Sequence, residues 1–471
     1  MLSSLSACSM LEESDLPILP IDTRRYGTPE MLGIFEEENR LQTMLNVEAA
    51  LAWAHAEVGD IPREDAEEII KTASVKHVKL SRVKEIEREI RHNVTSIVRA
   101  LAEACGSSGA YVHLGATSSD ILDTATALQL KDATFIIENR LNVLEKTLLE
   151  KAERYKSIIM AGRTHGQHAL PTTLGFKFAV WTREAARHIE RLQQCKERIL
   201  VGKMSGAVGT QAGLGPNAVK IQRLVMKKLG IRSAEITTQI IQRDRHAELV
   251  CLLAMIASTL DKFATEIREL QRTEIGELAE PFAKAKQVGS STMPHKRNPE
   301  LCERVCGLAR IVRSLVIPAL ENFPTWHERD ITQSSTERFI IPESCILTDY
   351  MLSLMINITA NLQINEKRMR KNIELTQGQI MSEAVMIALA RKGMSRQEAH
   401  EHLRRLIIKS QVENQPFKRA LLDDKAVRKM LTEGEITKAL NPRNYLGTAV
   451  NQVELVIKRT RRERKTRGLV D

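Results

Sequence analysis

The chain has 471 residues, of which 43% are hydrophobic, 27% charged and 4% aromatic. This balance is typical of a soluble globular protein, excludes disordered and fibrous chains, and favours helix over sheet because few residues suit a pleated surface. The net charge is +10, and residues 458–467 hold seven basic residues against one acid. This basic tail is interpreted as a solvated end, with a phosphate- or nucleic-acid-seeking arm as the alternative. Because it lacks interleaved aromatic residues, it does not resemble a stacking platform for single strands, and nucleic acid is not an expected partner.

Targeting and membrane signals are missing from the sequence. No run of about 18 apolar residues is present, so no membrane partner is expected. The first 23 residues contain no Lys or Arg, and they include the acidic residues Glu12, Glu13 and Asp15, unlike a secretory or transit peptide. The seven cysteines, an odd number without regular spacing, suit reduced thiols. The sequence therefore predicts a cytoplasmic protein.

Three zones follow one another along the chain. Residues 1–115 are predicted to form an N-terminal helical domain, with helices over 36–58 and 81–104. Residues 116–365 carry the longest periodic segments and predict a central long-helix bundle. Residues 366–471 are predicted to form a C-terminal helical domain that ends in the basic tail. Strand signals are scarce throughout, so the predicted fold class is all-α.

The central bundle is predicted from rows of apolar residues, here called seams, in which the residues repeat with a period of about 3.5 positions. The longest seam comprises Leu249, Leu253, Ile256, Leu260, Phe263, Ile267 and Leu270. This period predicts helices that pack nearly parallel in a bundle. Because such seams exceed what one slim subunit needs, we expect helices from several subunits to share the bundle.

Signatures of several enzyme classes are absent from the sequence. There is no phosphate-binding loop of the G-x-x-x-x-G-K-[ST] type, no dinucleotide-binding glycine pattern and no H-E-x-x-H pair. His165 and His168 have no third metal ligand nearby in the sequence. Redox, kinase and metallohydrolase chemistry are therefore not expected, and neither a metal nor an organic cofactor is predicted.

The most distinctive segment is 289–300, GSSTMPHKRNPE. It places hydroxyl groups, cations and an amide close to a predicted helix start, where Pro299 suits the first turn. Donors and positive potential at a helix start are suited to bind a carboxylate. The segment is therefore a candidate substrate-binding loop.

This loop resembles the G-S-S-x-M-P-x-K-x-N-P signature of the fumarase/aspartase superfamily. Three more stretches extend the resemblance, which covers residues from about 24 to beyond 360: VHLGATSSD at 112–120, GRTHGQHALP at 162–171 and QIIQRDRH at 239–246. The resemblance implies three all-helical domains and a homotetramer built on a central helical bundle. It also implies composite active sites assembled from three subunits.

Segment 326–338, WHERDITQSSTER, discriminates among members of the superfamily. Its hydroxyl and guanidinium groups form a set suited to grip a phosphate, and they belong to Arg329, Ser334, Ser335 and Arg338. The 3-carboxy-cis,cis-muconate cycloisomerases share the fold, but their substrate has no phosphate. The chain is therefore most similar to the adenylosuccinate lyase family. The alternatives are a cycloisomerase or another elimination enzyme of the superfamily, and a helical scaffold without catalysis.

The resemblance implies β-elimination of fumarate from adenylosuccinate to give AMP, in purine nucleotide biosynthesis. The resemblance also implies the same elimination from the succinylated aminoimidazole carboxamide ribotide. The implied base is Ser290, with Ser291 as the competing assignment and otherwise a ligand contact. Lys296 and Asn298 would stabilise the negative charge that develops on the substrate carboxylate.

His165 resembles the family's general acid, and Glu303 the carboxylate that orients this histidine and favours its charged form. Further implied substrate contacts are Arg25, Tyr26, Arg91, His92, His113, Thr117, Ser118 and Gln239. One position departs from the family pattern, because Asn93 stands where an Asp is usual. The change removes a charge and weakens any pairing that tunes His92, so His92 is a weaker catalytic candidate than His165.

Overall fold

The structure is a computed structural model that describes residues 19–282, 289 and 291–469. About 70% of it is helical and strands are few, which confirms the predicted all-α class. The predicted base, Ser290, lies outside the described residues.

The helices occupy most of the described chain. In chain order they are α1 Pro29–Phe35, α2 Glu37–Val58, α3 Arg63–Thr72, α4 Leu80–Ile90, α5 Asn93–Cys105, α6 Ser118–Arg154, α7 Leu174–Ile199, α8 Ala218–Leu229, α9 Asp244–Gln271, α10 Glu300–Ser314, α11 Val316–Glu321, α12 Thr332–Ala360, α13 Glu366–Glu374, α14 Ser382–Arg391, α15 Arg396–Val412, α16 Phe417–Asp423, α17 Lys425–Met430, α18 Glu433–Ala439 and α19 Ala449–Thr466. Short 3-10 helices cover Gly106–Tyr111, Ala212–Asn217, Gln379–Met381 and Pro442–Tyr445.

The strands within the described residues are short, and they form two-stranded sheets. They are β1 Ile159–Thr164, β2 Gln167–Thr173, β3 Val201–Gly202, β4 Arg232–Ser233, β5 Leu278–Ala279 and β6 Gln363–Ile364. β1 pairs with β2 and β5 with β6 in antiparallel fashion, whereas β3 and β4 are parallel.

The described residues divide into two compact units. The first unit consists of residues up to Arg140 together with His188–Leu260 and Gly307–Ser353. The second consists of the described parts of Leu141–Arg187, Asp261–Cys306 and Leu354–Asp471. The three-domain division at residues 115 and 365 stays a prediction.

The core of the first unit forms around α2, which packs against α3 and α8. Apolar side chains recur along α2 at helical spacing and are buried, among them Leu41, Leu45 and Leu51. The helix ends where Gly59 takes up the left-handed conformation, with φ of 86°.

The predicted single helix over 81–104 is wrong, because the structure has two helices there. Arg91 adopts φ of 54° and ends α4, and the ring of His92 then caps α5. His92 Nδ1 accepts a hydrogen bond from the backbone N–H of Thr95 at 3.2 Å. A side-chain acceptor at this position satisfies an amide that the first turn leaves unpaired, so the helix restarts.

The predicted long periodic helix is confirmed as α9. Every residue of its seam is at most 2% exposed. In the second unit, the ring of Phe263 from this seam stacks on Trp181 of α7, with ring centroids 4.6 Å apart. The sharing of helices between subunits stays a prediction.

Helix α12 is, within the described part of the chain, the one helix long and apolar enough by length and composition to cross a membrane. In its most apolar window 61% is buried, as in the core helix of a globular protein. It also carries Asp349, whose fully buried carboxylate accepts from Arg140 at 3.1 Å. The length and composition of this helix are therefore only weak evidence for a membrane-spanning segment.

Most of the basic tail forms α19, and five of its seven basic side chains are exposed, as expected for a solvated end. Arg464 is 3% exposed and pairs with the buried Glu145 at 3.2 Å. Arg461 pairs with Glu153 at 2.8 Å, and Glu463 accepts from Arg183. Glu145 and Glu153 lie far from the tail in the sequence, so the local run of basic residues gave no sign of them.

A buried ion pair in the first unit fixes the start of α6. Lys203 Nζ contacts Asp120, and both side chains are fully buried. The same carboxylate accepts from the backbone N–H groups of Ser205 at 2.8 Å and Gly206 at 3.1 Å. The Asp120 carboxylate therefore holds the segment that follows β3 against the N-terminus of α6.

We expect Lys203→Met to lower the free energy of unfolding by about 3 kcal/mol, because it leaves the buried Asp120 without its cation. The measurement is the midpoint of thermal unfolding. Lys220→Met, at an exposed position on α8, is the control and should leave the midpoint unchanged. Equal midpoints for both variants would contradict this account of the ion pair.

Candidate active site

A cavity of about 160 Å³ in the first unit is lined by four arginines, Arg40, Arg243, Arg329 and Arg338. Ser334 lines it as well. Ser334 and Arg338 are one turn apart on α12, so both side chains lie on the same face of the helix. The structure thus brings together three of the residues predicted to bind phosphate. The fourth, Ser335, is exposed and does not line the cavity.

Arg243, which the sequence analysis did not single out, holds both carboxylates of the cavity. It pairs with Asp123 through two hydrogen bonds, of 3.1 and 2.9 Å, and its Nε lies 3.0 Å from Glu337. Burial alone would raise the pKa of Asp123, but the charge and hydrogen bonds of Arg243 lower it below its usual value. Glu337 also contacts His246 Nδ1 at 2.7 Å. The only sequence signal was that Arg243 and His246 stand in the QIIQRDRH stretch.

The remaining arginines of the cavity carry charge that these carboxylates do not neutralise. Arg329 Nη1 donates to the side-chain oxygen of Gln239 at 3.1 Å, a neutral partner. The buried Nε of Arg329 has no hydrogen-bond partner among the described residues. Gln239, predicted to contact the nucleotide, therefore lies beside the cavity and orients Arg329. The cavity is electropositive and suited to an anion with several acceptor oxygens.

His113, also in the first unit, is held by a buried carboxylate. Its Nδ1 lies 2.7 Å from Glu48 of α2, whose side chain is 1% exposed. Burial alone would lower the pKa of His113, but the hydrogen bond and charge of Glu48, with the charge of Asp120, raise it above its usual value. Thr117 and Ser118 lie at the start of α6, where the N–H of Thr117 donates to Asp120 at 2.9 Å.

Arg25, Tyr26, Arg91 and His92 are among the predicted substrate contacts that do not line the arginine cavity. The guanidinium of Arg25 lies 5.8 Å from the ring centroid of Tyr26, which packs against Tyr350. Arg91 and His92 are exposed at the break between α4 and α5. The side-chain amide of Asn93, where the family pattern has Asp, donates to Glu87 at 3.3 Å.

His165, in the second unit, lies at the tip of a β-hairpin, which the sequence analysis did not predict. The two residues between β1 and β2 are His165 and Gly166, with φ of 54° and 76°, as a tight two-residue hairpin turn requires. Arg163 anchors the hairpin, since it donates to the buried Glu277 at 2.9 and 2.7 Å. The imidazole of His165 is exposed on this anchored support.

The signature loop is closed at its base by hydrogen bonds. The side-chain amide of Asn298 donates to the carbonyl oxygen of Gly289 at 3.1 Å. A Cβ atom at Gly289 would lie 2.2 Å from the carbonyl oxygen of Lys296, so only glycine fits. The side chains of Ser291 and Lys296 are exposed. The loop therefore presents its hydroxyl and ammonium groups to solvent from a tight backbone frame.

A buried carboxylate binds the first backbone N–H groups of α10, the helix that follows the signature loop. Glu280 is 3% exposed and accepts from the N–H groups of Leu301 and Cys302 in the first turn of α10, at 3.2 and 3.0 Å. Burial raises the pKa of Glu280 above its usual value. Glu303 is exposed on the same helix, and no hydrogen bond links it to His165 among the described residues. The roles assigned to these residues stay predictions.

Comparisons with known proteins support the same family as the motifs. Residues 24–313 match the family profile described as Lyase, and residues 378–456 match that described as Adenylosuccinate lyase C-terminus. The chain is 54% identical to an adenylosuccinate lyase of Pyrococcus horikoshii, over 96% of this chain and all of the relative. It is 51% identical to that of Methanocaldococcus jannaschii, over 94% and 96% of the two chains.

A solved structure with the same fold is the 3-carboxy-cis,cis-muconate lactonizing enzyme from Pseudomonas putida. Its TM-score is 0.87 at 33% identity, and the match covers 94% of this chain and 99% of that one. Identity is higher with the lyases, and a C-terminal profile described for adenylosuccinate lyase also matches, so the cycloisomerase alternative is less supported. The chain is therefore an enzyme of the lyase class, and it belongs to the adenylosuccinate lyase family.

Proposed function

We propose that the chain removes fumarate from adenylosuccinate by β-elimination and leaves AMP, and that it acts likewise on the succinylated aminoimidazole carboxamide ribotide. The observation that carries this proposal is the arginine-lined cavity of the first unit. Arg329, Ser334 and Arg338 offer guanidinium and hydroxyl donors to one anion, as a phosphate monoester requires. A cycloisomerase substrate without phosphate would leave these donors unused.

The elimination begins when a base takes a proton from the carbon next to a succinyl carboxylate. We assign this step to Ser290, with Ser291 as the alternative base. The charge that spreads over the carboxylate would be stabilised by Lys296 and Asn298 of the signature loop. The C–N bond then breaks, and its electron pair stays with the purine nitrogen while the carbon double bond of fumarate forms. The reaction has no net redox change and needs no cofactor.

The departing nitrogen takes up a proton, and His165 is the proposed donor. Imidazole suits this step because its unperturbed pKa lies near neutral pH. The anchored hairpin supports the assignment, because it fixes the backbone from which the ring projects. Glu303 would orient the ring and favour its charged form once the substrate is bound.

The succinyl carboxylates need further cationic and hydroxyl partners. Thr117 and Ser118 stand at the N-terminus of α6, where backbone N–H groups and the helix dipole favour an anion. His113 is the proposed cation nearby in the chain, since Glu48 favours its protonated form. Arg25, Tyr26, Arg91 and His92 remain proposed contacts supplied within an oligomer.

We further propose a cytoplasmic homotetramer whose active sites combine residues from several copies of the chain. Large apolar side chains exposed on its surface support assembly, because a contact between copies of the chain would remove their apolar area from water. Examples are Phe135, 61% exposed, and Phe339, 57% exposed. Nucleic acid and membrane are not proposed partners.

The activity itself gives the first test. Purified protein mixed with adenylosuccinate should release fumarate and AMP, followed by ultraviolet absorbance. Ser290→Ala should release fumarate at least about 100-fold more slowly, because it removes the proposed base. Equal rates would move the base to Ser291, whose Ala variant is the next measurement. No fumarate from the native chain would overturn the proposed function.

Arg338 separates the lyase from the cycloisomerase alternative. We expect Arg338→Ala to lower kcat/KM for adenylosuccinate by about 100-fold, because one charge-assisted contact to phosphate is lost. Lactonising turnover of carboxymuconate, assayed in parallel, should be absent in both proteins. Unchanged adenylosuccinate turnover in the variant would contradict phosphate binding at this cavity.

The pairing of His113 with Glu48 predicts a pH effect on substrate binding. Glu48→Gln keeps the shape but removes the charge, so the pKa of His113 should fall. A cationic His113 binds the substrate below its pKa, so the rise in KM with pH should begin at lower pH in the variant. Glu57→Gln, on the same helix, is the control. Superimposable KM–pH profiles for Glu48→Gln and the native protein would exclude this role.

A further inference from the structure

We propose that Arg40 is a further phosphate-binding residue of the arginine cavity, outside the residues that family resemblance supplies. The inference rests on the proposed function and deepens it. Arg40 stands in the first turns of α2, where its N–H donates to the carbonyl oxygen of Glu36 at 2.9 Å. Its half-buried side chain lines the cavity together with those of Arg329, Ser334 and Arg338.

The acidic residues near Arg40 are engaged elsewhere. Glu36 accepts from Arg24 at 3.2 Å, Glu37 from Lys84 at 2.7 Å, and Glu87 from the amide of Asn93 at 3.3 Å. Within the described residues, the guanidinium of Arg40 forms no ion pair and no hydrogen bond. A half-buried guanidinium without an ion pair or a hydrogen bond has lost part of its hydration, and no hydrogen bond within the protein replaces it.

Arg40 and Arg338 line the same cavity and carry like charges. Burial lowers the pKa of Arg40 below its usual value, and the charge of Arg338 lowers it further, although the charges of Glu37 and Glu87 oppose this. Both carboxylates of the cavity pair with Arg243. An anion bound between Arg40 and Arg338 would relieve their repulsion and restore hydrogen bonds to both.

The donor set favours a phosphate monoester dianion over a carboxylate. Arg40, Arg338, the buried unpaired Nε of Arg329 and the Ser334 hydroxyl offer more donors than two carboxylate oxygens can accept. An acceptor is unpaired as well. Gln333 is 1% exposed and lines the cavity, and its side-chain oxygen has no donor among the described residues. A ribose hydroxyl next to the phosphate would supply that donor.

The test compares two substrates, adenylosuccinate and the same compound without its phosphate, succinyladenosine. For Arg40→Met we expect kcat/KM on adenylosuccinate to fall by at least about tenfold, mainly through KM, since the phosphate does not react. On succinyladenosine, the variant should stay within about twofold of the native protein. Arg40→Lys keeps the charge but loses the planar fork, so it should recover part of the loss.

Arg63→Met is the matched control, because Arg63 is 73% exposed and does not line the cavity. Equal losses on both substrates would overturn the phosphate role and make Arg40 merely structural, and so would no loss on adenylosuccinate. If Arg40→Met does not fold, Arg40→Lys decides by the same substrate comparison.

Failure of the proposed function gives a different result. If the native protein turns over neither substrate, the lyase proposal falls. Calorimetric titration with inorganic phosphate then decides the role of Arg40 separately. Weaker phosphate binding by Arg40→Lys than by the native protein supports it, and equal binding overturns it.

Discussion

The pairing of one buried arginine with two carboxylates determines the charge of the candidate nucleotide site. Arg243 binds both Asp123 and Glu337, so neither acid is left to neutralise the other guanidinium groups that line the cavity. Glu337 is also anchored by His246, and it lies on α12 between Ser334 and Arg338. The same contacts therefore fix the helix face that presents the phosphate donors and keep those donors available.

In the second unit, buried carboxylates support the segments that carry His165 and the signature loop. Glu277 anchors the hairpin beneath His165, and Glu280 receives the first amides of α10 directly after the signature loop. Both acids are almost inaccessible. Glu277 accepts from the guanidinium of Arg163 and Glu280 from backbone N–H groups, whereas His165 and Lys296 are exposed. Rigid supports with accessible reactive groups are what preorganised proton transfer requires, since little reorganisation is then left to the reaction itself.

The sequence was most informative where local spacing determines geometry. The α9 seam could be predicted because its apolar residues recur every three or four positions. Ser334 and Arg338 were grouped by their donor chemistry, and the structure places them one turn apart on α12. Arg40 and Arg243 were missed because they reach the cavity from remote segments. The break at Arg91 and the hairpin at His165 depend on positive φ values at non-glycine residues, which periodicity does not reveal. The anchoring of Arg461 and Arg464 was missed because their acidic partners are more than 250 residues away in the sequence.

We propose that the arginine cavity binds the phosphate of a succinylated purine nucleotide. A crystal structure of the protein with AMP bound would test this assignment. We expect the phosphate within hydrogen-bonding distance of Arg329, Ser334 and Arg338, with Arg40 turned towards it. A phosphate bound elsewhere, with the cavity occupied by water, would show that the assignment is wrong.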